Sequence, residues 1–346
     1  MSRLALYTSK LFLMRWFSIS LGMLVLVGLV DSLANASALP DGDTMFGTLR
    51  YMVLRAPDIF SKLFLMVVML ATLLTFTALV RNRELVAILG LGYSVPSQWR
   101  MLAPAVFLAA AFSVVLIDQS VPPTIRALDA WRGAEGVPDM DPLWLDDQGT
   151  FVEIASLGGD QIAGLTFVER DENGTVQAIR WAEQADYTGD GWRLTGVTEE
   201  RLDGQDLPLP SFWETEQTPA ALQTLGAEPI DLAVADLQRL SRLRGSGSRP
   251  SAAYTAALLN RITQPFKALV YLFVAAAIMQ QPGRGASGDM AMVYGAGVGF
   301  LFLVLDGTLM TMAQSGFMNP WIATLSPVGI LGFFGTLLWL RQEVAE

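Results

Sequence analysis

Along the chain, long uncharged runs alternate with short charged ones. Residues 16–30, 63–80, 101–117, 268–281, 290–305 and 307–340 contain no Asp, Glu, Lys or Arg. A helical bilayer crossing takes roughly 20 mainly apolar residues. Some runs fall short alone and reach that length with uncharged flanks, or with basic flanks whose stems lie along apolar surface. The last run can hold the end of one crossing, a turn through NPWIATLSP and a second crossing. The pattern predicts six spans, near 14–34, 60–80, 100–119, 260–280, 290–310 and 322–340.

Between the third and fourth spans the pattern changes. GTFVEIASL and IAGLTFVER alternate or carry β-branched and aromatic residues, and VQAIRWAEQADYTG and GWRLTGVTEERL follow. DENG (171–174) and TGDG (188–191) separate them as tight-turn signals. Several short strands at this spacing point to a sandwich, a jelly roll or an open barrel. In SFWETEQTP, Phe212 and Trp213 read either as core or as an exposed docking surface. Pro219 stands near a helix start, residues 230–242 read as a second helix, and GSGS (245–248) as a flexible junction.

Composition sharpens this picture. With 52% hydrophobic and 16% charged residues, the chain is too apolar for an ordinary soluble domain. Residues 131–240 carry 22 acidic against 6 basic side chains, a net −16, which leaves +6 on the rest. A separate acidic domain follows. It lacks cysteine, so its own core must hold it. Without histidine or cysteine, the usual zinc, haem and thiol chemistries are absent. The remaining acids, Asp146/Asp147, Glu199/Glu200 and Glu214/Glu216, are close pairs of the kind that usually lie solvated on turns. D-E-N-G-T has too few oxygen ligands for a calcium loop. No catalytic residue and no metal site is assigned. A β-structure that handles an amphiphile fits better than catalysis, and a structural or docking domain stays open.

Basic residues orient the spans. Arg3, Lys10, Arg15, Arg81, Arg83, Arg100, Arg284 and Arg341 fall on one side, which the positive-inside tendency makes cytoplasmic. Both termini then lie there, and the acidic domain lies outside.

The loop RNRELVAILGLGYS (81–94) is richer than a turn needs. On a helix over about 82–93, Leu85, Ile88 and Leu89 share one side. Arg83 and Glu84 stand at its start, where free amides favour an acid. One reading is a helix resting on lipid. The other is a coupling helix, with Arg83, Glu84, Leu85 and Ile88 engaging a cytoplasmic partner. The chain has no G-x-x-x-x-G-K-[ST] segment, so a nucleotide-driven cycle needs that partner.

The pattern R-x-R-E-L-V-A-I-L-G-x-G-Y-S resembles the coupling segment of the LptF/LptG (YjgP/YjgQ) permease family, and the likeness covers essentially the whole chain. LRAPDIFSKLFLM resembles the family's proline ahead of the second span, and DQSVPPTIRAL, with Asp118, Pro122 and Arg126, its exit from the third. WETEQTPAAL resembles a segment more typical of the LptG branch, YTAALLNRITQPF the approach to span four, and GFLFLVLDGTL, with Asp306, span five. The resemblance implies an α-helical integral membrane protein of six transmembrane helices (3+3) with an inserted periplasmic β-jelly-roll domain. Its parts are residues 1–125 with the coupling helix, 126–250 as the β-domain and 251–346.

By the same resemblance the chain is a non-catalytic subunit of an ATP-driven lipopolysaccharide exporter in a Gram-negative inner membrane. It implies an LptF-like paralogue, two LptB-like ATPases holding ATP and magnesium, and an LptC-like subunit, with no cofactor on this chain and no nucleic acid. Glu84 takes the coupling acid's place, and Leu85 and Ile88 that helix's apolar contacts. The family's first span often ends in lysines thought to meet lipid phosphates. Here VGLVDSLANASALPDGD has Asp31 and no basic residue before Arg50, so Arg50, Arg55 or a partner supplies the cations. Gly295 and Gly299 allow either a movable seam with a partner span or simple packing. Asp306 either lines an ion path or pairs locally. Another lipid or lipoprotein exporter, and a non-transporting scaffold, remain alternatives.

Overall fold

The computed structural model describes residues 3–36, 45–90, 95–132, 142–147, 150–170, 175–201, 210–242, 249–279 and 289–343. The predicted turn 171–174, the junction 245–248, residues 91–93 of the coupling loop, Arg284 and the side chain of Leu85 lie outside what is described.

Among the described residues, six helices are long and apolar enough to cross a membrane. Three precede the strands: α1 (Arg3–Ala34), α2 (Met45–Arg81) and α4 (Val95–Arg132), with the short α3 (Glu84–Gly90) between the last two. Three follow: α7 (Ser251–Met279), α8 (Asp289–Gln314) and α9 (Pro320–Glu343). Helices α2 and α7 form the centre, where Phe64, Val68, Leu73, Leu272, Val274 and Ala275 pack in one core. Of their most apolar stretches 61% and 56% is buried, against 17% in α1 and α8, so those two present apolar faces outward. Buried Thr72, Thr75, Thr77 and Ser113 each donate a hydroxyl to a carbonyl four residues back, so these four hydroxyls are satisfied within their own helices.

The inserted domain holds β1 (Leu143–Asp147), β2 (Thr150–Gly158), β3 (Gln161–Arg170), β4 (Val176–Tyr187), β5 (Trp192–Thr195), β6 (Thr198–Arg201) and β7 (Phe212–Trp213). They form one antiparallel sheet, ordered β1-β2-β3-β4-β5-β7, with β6 also on β4. Helices α5 (Pro219–Gly226) and α6 (Val234–Arg242) follow, with a 3-10 turn, Pro229–Asp231, between them.

The expected jelly roll is corrected by this pairing. Strands β1 and β7 end the order without meeting, so the sheet of the described residues is open rather than closed. The reason lies in what covers its inner face. Leu145, Val152, Ile154, Leu165 and Phe167 pack in one core with Leu222 and Leu225 of α5, Leu237 and Leu240 of α6 and Tyr254 of α7. Helices take the place of a second sheet. The facing of side chains also shifts within the strands: Val152 and Ile154 are buried, then Leu157; Phe167 and Leu165, then Ile162. The break in β3 falls at Gly164, whose φ of 74° suits glycine and whose added Cβ would stand 3.0 Å from that of Ala155.

Candidate functional site

The loop between α2 and α4 is built by two backbone bonds and one strained residue. Asn82 N–H still reaches the Ala78 carbonyl at 2.9 Å, and Arg83 N–H turns to Val80 at 3.0 Å. Arg83 then takes φ 56°, a left-handed conformation that a non-glycine residue rarely adopts. It is the only non-glycine residue with positive φ among those described. This redirects the chain, and α3 starts at Glu84. Ile88 is buried and Arg83 exposed. Glu84 Oε1 accepts the Tyr7 hydroxyl of α1 at 3.2 Å and the Asn82 amide at 3.3 Å.

At the opposite end of the bundle, the structure brings Asp31 and Arg55 together and leaves Arg50 apart. Asp31 Oδ2 accepts the Tyr51 hydroxyl at 2.8 Å and lies 3.6 Å from Arg55 Nε. Arg55 Nη1 also meets Asp58 at 3.2 Å, and Lys62 closes on the same carboxylate at 3.0 Å. Thus the acid on α1 ties that helix to α2. Arg50 is exposed and stacks its guanidinium 4.9 Å from the centre of the Trp131 ring. Among the described residues no acid pairs with it.

A joint between the bundle and the inserted domain lies beside this network. Asp118 of α4 accepts the Val234 N–H at the start of α6 (2.7 Å) and stands 3.3 Å from Arg261 of α7. Arg261 is buried and donates its other nitrogen to the Ile230 carbonyl at 2.6 Å. Asp231 has a buried oxygen without a hydrogen bond among the described residues. Burial first, then the Asp58 charge, push its carboxyl up to about 7, against the opposing pull of Lys62.

Within the bundle, Gly295 and Gly299 face α2 of their own chain. A Cβ on Gly295 would fall 2.5 Å from Leu73, and one on Gly299 2.8 Å from Met69. Asp306 is paired: Lys267 of α7 donates to it at 2.6 Å and to Asn260 at 2.7 Å. Sequence reasoning named neither Lys267 nor Tyr7. Lys267 stands just before the uncharged run 268–281, where a basic residue carries no sign of burial; Tyr7 carries no signal beyond an aromatic ring near a helix start.

The chain's relatives accord with this architecture. The family model described as lipopolysaccharide export system permease LptF/LptG matches residues 6–341. The lipopolysaccharide export system permease protein LptG of Escherichia coli (strain K12) is 26% identical over 311 residues, which cover 85% of this chain and 84% of that protein. Its namesake from Haemophilus influenzae is 23% identical over 269 residues, 74% and 75% of the two chains. A match across all six membrane-length helices, the loop helix and the inserted sheet leaves no part of the fold unaccounted for, and the chain belongs to the LptF/LptG family of lipopolysaccharide export system permeases.

Proposed function

We propose that this chain is one of two permease subunits of an ATP-driven lipopolysaccharide exporter in a Gram-negative inner membrane. The observation that carries the reading is the family match over nearly the whole chain, with relatives named for lipopolysaccharide export. The basic loops face the cytoplasm and the acidic sheet domain faces the periplasm. The partners are an LptF-like paralogue, two LptB-like ATPases and an LptC-like subunit. ATP and magnesium act in the ATPases, and this chain converts their movement into movement of helices.

The loop helix is the coupling element. The turn at Arg83 presents Glu84 to a groove in the ATPase, while Ile88, buried against its own chain, seats α3 so that a rigid tip transmits a shift without covalent chemistry. The outward apolar faces of α1 and α8 line the lipid path with the paralogue, and Gly295 and Gly299 let α8 slide close along α2. Among the two arginines considered for the lipid's anionic group, Arg50 is the better placed. Arg55 is already balanced by Asp31 and Asp58, whereas Arg50 is exposed beside Phe46, Leu49 and Val53. A cation amid apolar surface suits an anionic amphiphile.

Reconstitution tests the reading. In proteoliposomes holding the permease pair, the ATPases and the LptC-like subunit, ATP should drive transfer of lipopolysaccharide to a periplasmic acceptor. R50A should lower it several-fold and R55A should instead lower thermal stability. An assembled complex that hydrolyses ATP yet transfers no lipopolysaccharide would contradict the function; equal transfer by R50A and wild type would remove Arg50 from the lipid site.

A further inference from the structure

The carboxylate of Glu84 has two oxygens, and the described residues bond to one of them. Both the Tyr7 hydroxyl and the Asn82 amide point to Oε1. Among the described residues Oε2 has no hydrogen bond. Arg15, two turns along α1 from Tyr7, is within electrostatic reach of both Glu84 and Tyr7. Its Nη1 is buried with no hydrogen-bond partner among the described residues.

Helix α1 is otherwise held by packing on its inner stripe, where Ala5, Thr8, Phe12, Ser20, Gly28 and Ser32 are buried, and at its far end by Asp31 with Tyr51 and Arg55. Its outer face is free. Tyr7 is 47% exposed, so its ring is only partly covered. What Tyr7 contributes is the hydroxyl, which joins the loop helix to the first span near its start, far along α1 from the Asp31 tie.

We propose that Glu84 is a two-sided link, with Oε2 free for the ATPase and Oε1 fixed to Tyr7, so that Tyr7 is a positioning residue relaying movement of the loop helix into α1. This rests on the coupling role of Glu84. Engaging the ATPase need not break the Tyr7 bond, because the two sides of the carboxylate serve different partners. A shift of α3 then pulls the cytoplasmic end of α1 directly, in addition to pushing α2 through the chain.

The test is the yield of lipopolysaccharide released per ATP by the reconstituted complex, measured alongside co-purification of the ATPase. Y7F should leave co-purification and ATP turnover within about twofold of wild type. It should lower lipid released per ATP by about two- to tenfold, the span that one hydrogen bond covers. Y7A should match Y7F, since the ring is not the anchor; a much larger loss with Y7A would assign Tyr7 to packing and overturn the relay. Unchanged yield in Y7F, or loss of the ATPase from the Y7F complex, would also overturn it. E84A separates the two layers. Loss of the ATPase in E84A with full yield in Y7F defeats the relay alone, whereas wild-type behaviour of E84A defeats the coupling role and the relay with it.

Discussion

A lysine whose side chain is 3% exposed, between helices of membrane length, needs an answering charge. Lys267 finds it in Asp306, and Arg261 finds one in Asp118. Removing one partner of a buried pair costs about 3–5 kcal/mol, because the other charge is left uncompensated. D306A should therefore lower the melting temperature of the purified complex, and K267M/D306L, which removes both charges, should recover most of it. A stable double variant that has lost lipid export would give the pair a transport role instead. These pairings were hard to read in the sequence for a definite reason. The partners lie 39 and 143 residues apart, and a basic residue beside an apolar run looks the same whether it snorkels or is buried. Asp306 could be singled out because an acid inside an apolar span is conspicuous; its lysine could not. Asp31 carries the same lesson, since its ties to Tyr51 and Arg55 come from a neighbouring helix.

Among the elements, the short stretch from Pro229 to Val234 has a large share of the polar contacts between bundle and sheet domain. It is gripped by Asp118 and Arg261, and Asp231 on it faces Asp58, Arg55 and Lys62 of α2, with Glu228 adjacent. Asp231's carboxyl is raised from 3.8 to about 7 by burial and by Asp58. The neutral form is thus favoured in the fold. Its stabilisation is complete below about pH 4, is lost as pH rises toward 7, and changes no further above that. Between pH 6 and 8, protection of the Val234 amide from hydrogen exchange should fall by about tenfold beyond the intrinsic change. D231N should remove that dependence, and an unchanged dependence in D231N would take Asp231 out of the joint. The longer strands were legible because alternation survives in them; β1 and the two-residue β7 were not, being short and set by pairing with distant strands. Closure differs from the expected jelly roll because sequence periodicity shows that a strand has an apolar face, not whether helices or a second sheet cover it. Trp213 was open between core and surface, and proves buried, its indole nitrogen bonded to Asp147 at 2.8 Å.

For the whole molecule, six membrane-length helices carry a short loop helix at one end and an acidic sheet domain at the other. The six spans were readable because uncharged runs of that length have few other uses, and the loop helix because three apolar residues share one side of it. Its start at Glu84 rather than Asn82 depends on the left-handed turn at Arg83, which no residue preference signals. Topology can be checked by single-cysteine labelling, since the chain contains no cysteine. D160C, in an exposed turn of the sheet, should react with a membrane-impermeant reagent once the outer membrane is permeabilised. N82C, exposed at the loop, should not react; the reverse pattern would invert the orientation. The central claim is that ATP hydrolysis elsewhere is converted into lipid movement through Glu84. Loss of a charged partner at a desolvated interface costs about 2–5 kcal/mol, part of it from leaving the opposite charge unpaired. The most direct measurement is lipopolysaccharide released per ATP hydrolysed by wild-type and E84A complexes in proteoliposomes, with ATPase content measured in each. The account predicts that E84A inserts and folds normally but loses the ATPase or hydrolyses ATP without releasing lipid; wild-type ATPase content and wild-type yield in E84A would contradict it.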